Sequence, residues 1–242
     1  MKNVVIIGAS GSIGKEMVKT FYKKGYNVFA GYFKNKSAIE KQIACLPVKK
    51  NRIVMSHIDT RDLGSVTRFF DEFKVNFGII DCLVNCSGVS KPNLLIDINL
   101  EDLQQEMDVN LLGVILTSKQ SLELFGDDGG SIINLASIWG ICGGAYETTY
   151  SATKGGVIAF SKALAKEMGS KKIRVNTISP GLVKSPMNIH LTDNDYLTVK
   201  QESPLKRLAT AREIAECALY LAGESAKSIT GQNITIDAGF IL

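Results

Sequence analysis

The sequence predicts an α/β fold, a doubly wound parallel sheet of about seven strands with helices on both faces. Three observations predict it. Short apolar runs rich in β-branched residues alternate with segments of helical periodicity. Short connections join them, as crossover helices between parallel strands require. A glycine-rich turn, Gly8 to Gly14, separates the first apolar run from the first helical pattern. No domain-sized break, internal repeat or low-complexity tract interrupts the chain, so one domain over residues 1–242 is expected.

Val4 to Ile7 reads as a fully buried strand, and the helical pattern of Ile13, Met17, Val18 and Phe21 runs to Gly25. Val28 to Tyr32 is the second strand, followed by a polar segment of weak helical character. Ile53 to Ser56 is the third strand, and Leu63, Val66, Phe69, Phe70 and Phe73 have helical spacing. Leu83 and Val84 mark a fourth strand ending at Asn85-Cys86-Ser87-Gly88. Leu103 to Leu124 reads as a long helix with Asn110 near its middle. Ser131 to Ala136 is strand five and Tyr150 to Met168 a second long helix. Arg174 to Ser179 is strand six, stopped by Pro180-Gly181; Arg212 to Ala222 is a helix and Asn233 to Asp237 the last strand. The polar stretch at about 185–203, Ser185 to Ser203, is the longest irregular piece, where a substrate-side lid would sit.

Composition narrows the function. A formal charge of +4, with 28 basic and 24 acidic residues interspersed, does not argue for nucleic acid. Five cysteines without a C-x-x-C and only two histidines, His57 and His190, assemble no metal cluster and no disulfide framework. No apolar run approaches the length of a membrane span, and the N-terminal stretch lacks a signal-peptide core. A cytoplasmic protein with reduced thiols, no metal and no membrane partner is expected.

Gly8, Gly11 and Gly14 stand where a dinucleotide's pyrophosphate would meet backbone N–H groups at the positive end of a helix, which makes the fold Rossmann-type. The cofactor-binding set is Gly8, Ser10, Gly11, Ser12, Ile13 and Gly14. An acid at the end of the second strand would accept the adenine ribose hydroxyls of NAD. None stands at Gly31-Tyr32-Phe33-Lys34; Lys34 and Lys36 flank Asn35, and Ser10 offers a further phosphate contact. The lysines bind a 2′-phosphate or simply line a solvated loop. NADP(H) is favoured and NAD(H) not excluded.

The spacing Tyr-x-x-x-Lys occurs three times, at Tyr32…Lys36, Tyr150…Lys154 and Tyr196…Lys200. Only Tyr150 follows a strand that ends near a serine, Ser137, and opens a long helix. Four residues apart on a helix, Tyr150 and Lys154 share a face. A positive charge ~4 Å from a phenol is worth about 1 kcal/mol in water and about 4 kcal/mol at an effective dielectric near 20, so the phenol pKa should fall. Tyr150 would exchange the proton, and Ser137 would hydrogen-bond a carbonyl oxygen as negative charge grows on it. Asn110 either holds a proton-relay water or caps a helix irregularity.

With these residues placed, the chain resembles the short-chain dehydrogenase/reductase family over its whole length. The resemblance rests on GASGSIG, Asp59 after strand three, NCSG at Asn85–Gly88, DVNLLG around Asn110, Ser137, YSATK at Tyr150–Lys154 and PGLVKSPM from Pro180. The C-terminal stretch is similar to that of the 3-oxoacyl-acyl-carrier-protein reductase branch. The resemblance implies a catalytic tetrad of Asn110, Ser137, Tyr150 and Lys154, with Lys154 also on the nicotinamide ribose. It further implies Asp59 near the adenine, Asn85 and Gly88 beside the cofactor, and Pro180, Gly181, Val183 and Ser185 by the carboxamide. Relatives are commonly homotetramers built through their two long helices. Three departures stand out. Ile7 replaces the usual Thr before the first glycine; Ser12 stands where a glycine is usual; Cys86-Ser87 replaces Asn-Ala.

These features predict an NADP(H)-dependent ketoreductase of a small-molecule or carrier-bound ketone, foremost a 3-oxoacyl thioester. Ser137-Ile138-Trp139-Gly140 with Glu147 is instead similar to reductases of the 5-aminopentanone group on elongation factor P. There Glu147 would meet a substrate ammonium, or it faces solvent or caps the Tyr150 helix, with Trp139 packed beneath the loop. A dinucleotide-sensing regulator without catalysis is the alternative of another class. The intact tetrad speaks against it.

Overall fold

The computed structural model describes residues 1–242. In β1 (Asn3–Ile7) the side chains alternate, Val4 and Ile6 entering one core, Val5 and Ile7 another, and all four are buried. A strand apolar on both faces needs cover on both. On the first face that cover comes from α1 (Ser12–Lys24), through Met17, Val18 and Phe21, together with Ile214, Ala218 and Leu221 of a C-terminal helix. On the second it comes from α3 (Leu63–Phe77), whose Phe69, Phe70 and Phe73 pack with Phe29.

Between those elements lie β2 (Asn27–Tyr32), α2 (Lys36–Ile43), β3 (Ile53–His57) and, after α3, β4 (Cys82–Asn85). The second half adds α4 (Leu100–Met107), α5 (Gly113–Ser121), β5 (Gly130–Leu135), the short α6 (Trp139–Cys142), α7 (Thr148–Glu167) and β6 (Ile173–Pro180). It closes with α8 (Asp193–Glu202), α9 (Ala211–Ala222) and β7 (Asn233–Ile236). All pairings are parallel and the strand order is β3-β2-β1-β4-β5-β6-β7. The order reverses between β1 and β4, and a cleft forms outside the carboxyl ends of strands at such a point. No helix is long and apolar enough to cross a membrane.

Two expectations need correction. The long helix Leu103–Leu124 is not continuous: a π-turn, Asp108–Leu112, separates α4 from α5 and carries Asn110. Such turns interrupt the i→i+4 ladder and recur at functional sites. The stretch Ser185–Ser203 is not irregular either. It contains a 3₁₀ turn, Pro186–Asn188, and α8, which starts with a capping box in which Thr192 and Asp195 satisfy each other's backbone N–H.

Candidate active site

The glycine turn is built by close approach. Gly8 has φ +83, and a Cβ there would lie 2.6 Å from the Ser87 nitrogen, so the turn after β1 meets the loop after β4. At Gly14 a Cβ would run into the Gly8 carbonyl oxygen, which lets α1 start directly under the turn. Gly8 and Ala9 donate N–H bonds of 3.1 and 2.9 Å to the Gly31 carbonyl. From the other side the Cys86 N–H and thiol both donate to the Ile7 carbonyl, at 3.0 and 2.9 Å. Gly11 is the N-cap of α1 and no side chain accepts from the helix's first N–H groups. Free donors, the positive helix end and an opening without side chains together fit a pyrophosphate.

At the far end of that opening Asp59 follows β3. Arg61 grips its carboxylate through Nε at 2.9 Å and Nη2 at 2.7 Å, and the pair holds the carboxyl below its ordinary value. The guanidinium lies 5.3 Å and the Lys34 ammonium 5.5 Å from the Phe33 ring centroid. Lys36 is elsewhere: it sits on α2, pairs with Glu40 at 3.4 Å and does not reach the cleft. Sequence reasoning missed Arg61, although an acid and a base two residues apart directly after a strand were visible.

The other end is formed by β5, α7 and the loop after β4. Lys154, on the first turns of α7, is buried and donates 2.9 Å to the Leu135 carbonyl, just beyond the last β4–β5 pair, Asn85–Asn134. Burial brings its ammonium down to about 8. Its Nζ is 5.6 Å from the Tyr150 ring centroid. The Tyr150 phenol, expected to be lowered, is instead pushed up to about 12. Burial is the main cause, the Ser137 hydroxyl opposes it, and Glu147 and Glu106 add to it. Lys154, its ammonium bonded to the Leu135 carbonyl, does not bring the phenol down. Ser137 is buried at the end of β5, where its Oγ also accepts the Trp139 N–H at 3.2 Å.

The loop after β4 is held residue by residue. Asn110 accepts the Val89 N–H and donates to the Val89 carbonyl, both at 2.8 Å. Ser90 donates to both Glu147 oxygens at 2.9 and 2.8 Å. Buried Glu106 accepts the Lys91 N–H at 2.7 Å and the Thr149 hydroxyl, and Asn93 donates 2.8 Å to the Tyr146 carbonyl. Glu147 stands at the N-cap position of α7, where its main-chain carbonyl accepts the Ser151 N–H at 2.7 Å but its carboxylate accepts no helix N–H; the residue lines the cleft. Burial raises its pKa; the Ser90 bond opposes this and Glu106 adds to it. Neither Glu147 nor Glu106 has a cation within salt-bridge distance; Lys91 pairs with Asp102 instead. Trp139 packs against the loop before α7, where a Cβ at Gly144 would lie 2.8 Å from its ring, and it meets Phe240 edge-on at 6.2 Å.

One cleft of about 1130 Å³ joins these ends. Gly8, Ser10, Gly11, Ser12, Ile13, Gly14, Lys34, Asp59 and Gly88 line it, as do Ser137, Glu147, Tyr150, Lys154, Pro180, Gly181, Val183 and Ser185. Two expected residues do not. Asn85 points into the protein, where Nδ2 donates to Asn134 Oδ1 at 2.9 Å and Oδ1 accepts from Thr117 at 2.9 Å. It braces β4, β5 and α5 rather than lining the cleft. Asn110 is fully buried and uses one N–H and its carbonyl oxygen on Val89, so it holds the loop after β4 that lines the cleft. A Cβ at Gly88 would be 3.5 Å from Asn110 Oδ1 and 3.6 Å from Lys154 Nζ, which puts the loop's glycine between the two.

Known proteins resemble the chain over its whole length. The family model described as Enoyl-(Acyl carrier protein) reductase matches residues 8–241. The chain is 32% identical over 245 residues to the 3-oxoacyl-[acyl-carrier-protein] reductase of Rattus norvegicus. It is 33% identical over 244 residues to the 3-oxoacyl-[acyl-carrier-protein] reductase FabG of Thermotoga maritima. In both cases 100% of this chain and 98% of the relative are covered. Among solved structures, a short-chain dehydrogenase/reductase from Serratia marcescens superposes with TM-score 0.92 at 27% identity, covering 100% of this chain and 98% of that one. A Brucella melitensis protein titled short-chain dehydrogenase/reductase SDR:Glucose/ribitol dehydrogenase gives TM-score 0.94 at 28% identity, with 100% and 97% covered.

Proposed function

The chain belongs to the short-chain dehydrogenase/reductase family, and from that premise we propose that this oxidoreductase is a cytoplasmic NADP(H)-dependent ketoreductase whose substrate class is a 3-oxoacyl thioester. One observation carries the reading: Tyr150, Ser137 and buried Lys154 converge at one end of the cleft whose other end is the glycine turn. The names of the relatives support the substrate class. We place the chain in a homotetramer built through α4–α5 and α7, a reading supported by the exposed Leu100, Met107 and Leu112.

Gly8 to Gly14 and the free N–H groups of α1 would hold the pyrophosphate, and Lys154 the nicotinamide ribose. When bound, the reduced nicotinamide supplies a hydride to the carbonyl carbon. Ser137 donates a hydrogen bond to the carbonyl oxygen and stabilises the charge that grows there. Tyr150, whose phenol stays protonated to about 12, gives its proton to that oxygen. The Lys154 ammonium then faces a phenolate and makes it less costly. Asn110 and the carboxylates of Glu106 and Glu147 fix the loop after β4 that lines the cleft.

A second reading is favoured by one specific observation, the cation-free carboxylate of Glu147 lining the cleft three residues before Tyr150. It would suit a substrate ammonium, as in the 5-aminopentanone group on elongation factor P, and would disfavour anionic ligands. NADPH oxidation measured with an acetoacetyl thioester beside a small aminoketone separates the readings. The thioester is expected to be turned over faster. An aminoketone preferred by kcat/KM would overturn the substrate class while leaving the ketoreductase, and turnover of neither would overturn both.

A further inference from the structure

At the adenosine end the charged groups act as a unit. The Asp59 carboxylate accepts three bonds from Arg61, from the main-chain N–H at 3.0 Å, Nε at 2.9 Å and Nη2 at 2.7 Å. The carboxylate's charge is thereby matched. Nη1 of Arg61 makes no hydrogen bond and remains free to meet an anion. Arg61 and Lys34 converge on the same exposed ring, Phe33, at 5.3 and 5.5 Å from its centroid. A guanidinium fixed on one edge by a carboxylate and across its face by an aromatic ring is preorganised, so little rotamer freedom is lost when it binds.

We propose that Arg61 selects a 2′-phosphate on the adenosine ribose, that Asp59 is the positioning residue which aims it, and that Lys34 supplies the second charge. The inference rests on the NADP(H) reading and deepens it by naming the selecting group. Arg61 works twice. It attracts the phosphate, and it masks a carboxylate that would otherwise repel phosphate and accept ribose hydroxyls. Removing it exposes Asp59, so part of the loss should return when Asp59 is neutralised as well. A lone phosphate-binding arginine would show no such recovery.

The probes are adenosine 2′,5′-bisphosphate and adenosine 5′-monophosphate, which differ only in the 2′-phosphate, titrated calorimetrically into the full chain. The wild-type protein should prefer the bisphosphate. Arg61→Ala should weaken the bisphosphate about 10- to 100-fold, the size of one charge-assisted contact, and the monophosphate less than about threefold. Asp59→Asn/Arg61→Ala should bind the bisphosphate at least about threefold more tightly than Arg61→Ala alone. Equal loss of both probes in Arg61→Ala would make the residue a mere wall of the adenine pocket and overturn the proposal. So would a double variant that binds no better than the single one. A preference for the bisphosphate that survives in Arg61→Ala sinks this inference and leaves the cofactor reading standing; a wild-type protein without preference sinks both.

Discussion

Replacing Lys154 by methionine should change how the stability of the fold depends on pH. Lys154 is 3% exposed and has no carboxylate beside it, so burial brings its ammonium from the ordinary 10.5 down to about 8. Between those values the unfolded chain holds this proton and the folded one does not. Wild-type stability therefore rises with pH across that window, as linkage requires when the unfolded state binds more protons. The whole window is worth about 3 kcal/mol. At pH 7 the charge still burdens the folded wild-type protein. Methionine escapes that cost but orphans the Leu135 carbonyl, a loss of about 1–3 kcal/mol, so the two proteins should be close in stability. From pH 7 to pH 10 the difference in unfolding free energy should move by about 2–3 kcal/mol in favour of wild type. Tyrosine ionisation in the unfolded chain is common to both proteins and cancels. Urea denaturation followed by far-ultraviolet circular dichroism at the two pH values measures this. Parallel pH dependences would refute the reasoning, because they would mean that Lys154 is solvated or is paired with an anion.

On the proposed mechanism the same residue should set an alkaline limit: kcat/KM for ketone reduction should fall as pH rises through about 8, where Lys154 would lose the charge that favours a Tyr150 phenolate, and a flat profile to pH 10 would contradict this. Gly14→Ala forces a methyl group onto the Gly8 carbonyl; it should destabilise the fold by about 2 kcal/mol or more and abolish NADPH binding, read by thermal melting and by nucleotide fluorescence. Glu147→Gln removes a carboxylate from the cleft while keeping a partner for Ser90. If the acyl thioester reading holds, kcat/KM for acetoacetyl thioester should stay within about threefold of wild type; on the aminoketone reading, kcat/KM for the aminoketone should drop about 10-fold or more.

Much of the fold was legible because strands buried on both faces must be written as unbroken apolar runs, as in Val4–Ile7 and Leu83–Val84. What escaped was local or long-range. Helix α8 buries no residue, so it left no apolar periodicity, and only its Thr192…Asp195 capping pair announced it. The π-turn at Asn110 keeps the helical composition on both sides and changes only the hydrogen-bond ladder, which composition does not record. Asn85 is expected beside the cofactor only by family resemblance; which way its amide turns depends on Asn134 and Thr117, from distant parts of the chain. Arg61 gained a role only when β2 brought Phe33 to it. The spacing of Tyr150 and Lys154 was readable, but the direction of the phenol's pKa was not. Burial dominates there, and the Lys154 ammonium is turned toward Leu135.

Tyr150→Phe tests the central claim most directly, since it deletes the proton and leaves the packing of α7 in place. With NADPH and the preferred ketone, kcat should fall about 10²- to 10⁴-fold, while the dissociation constant for NADPH and the melting temperature stay at their wild-type values. A variant that keeps kcat within about threefold of wild type would show that the proton comes from elsewhere.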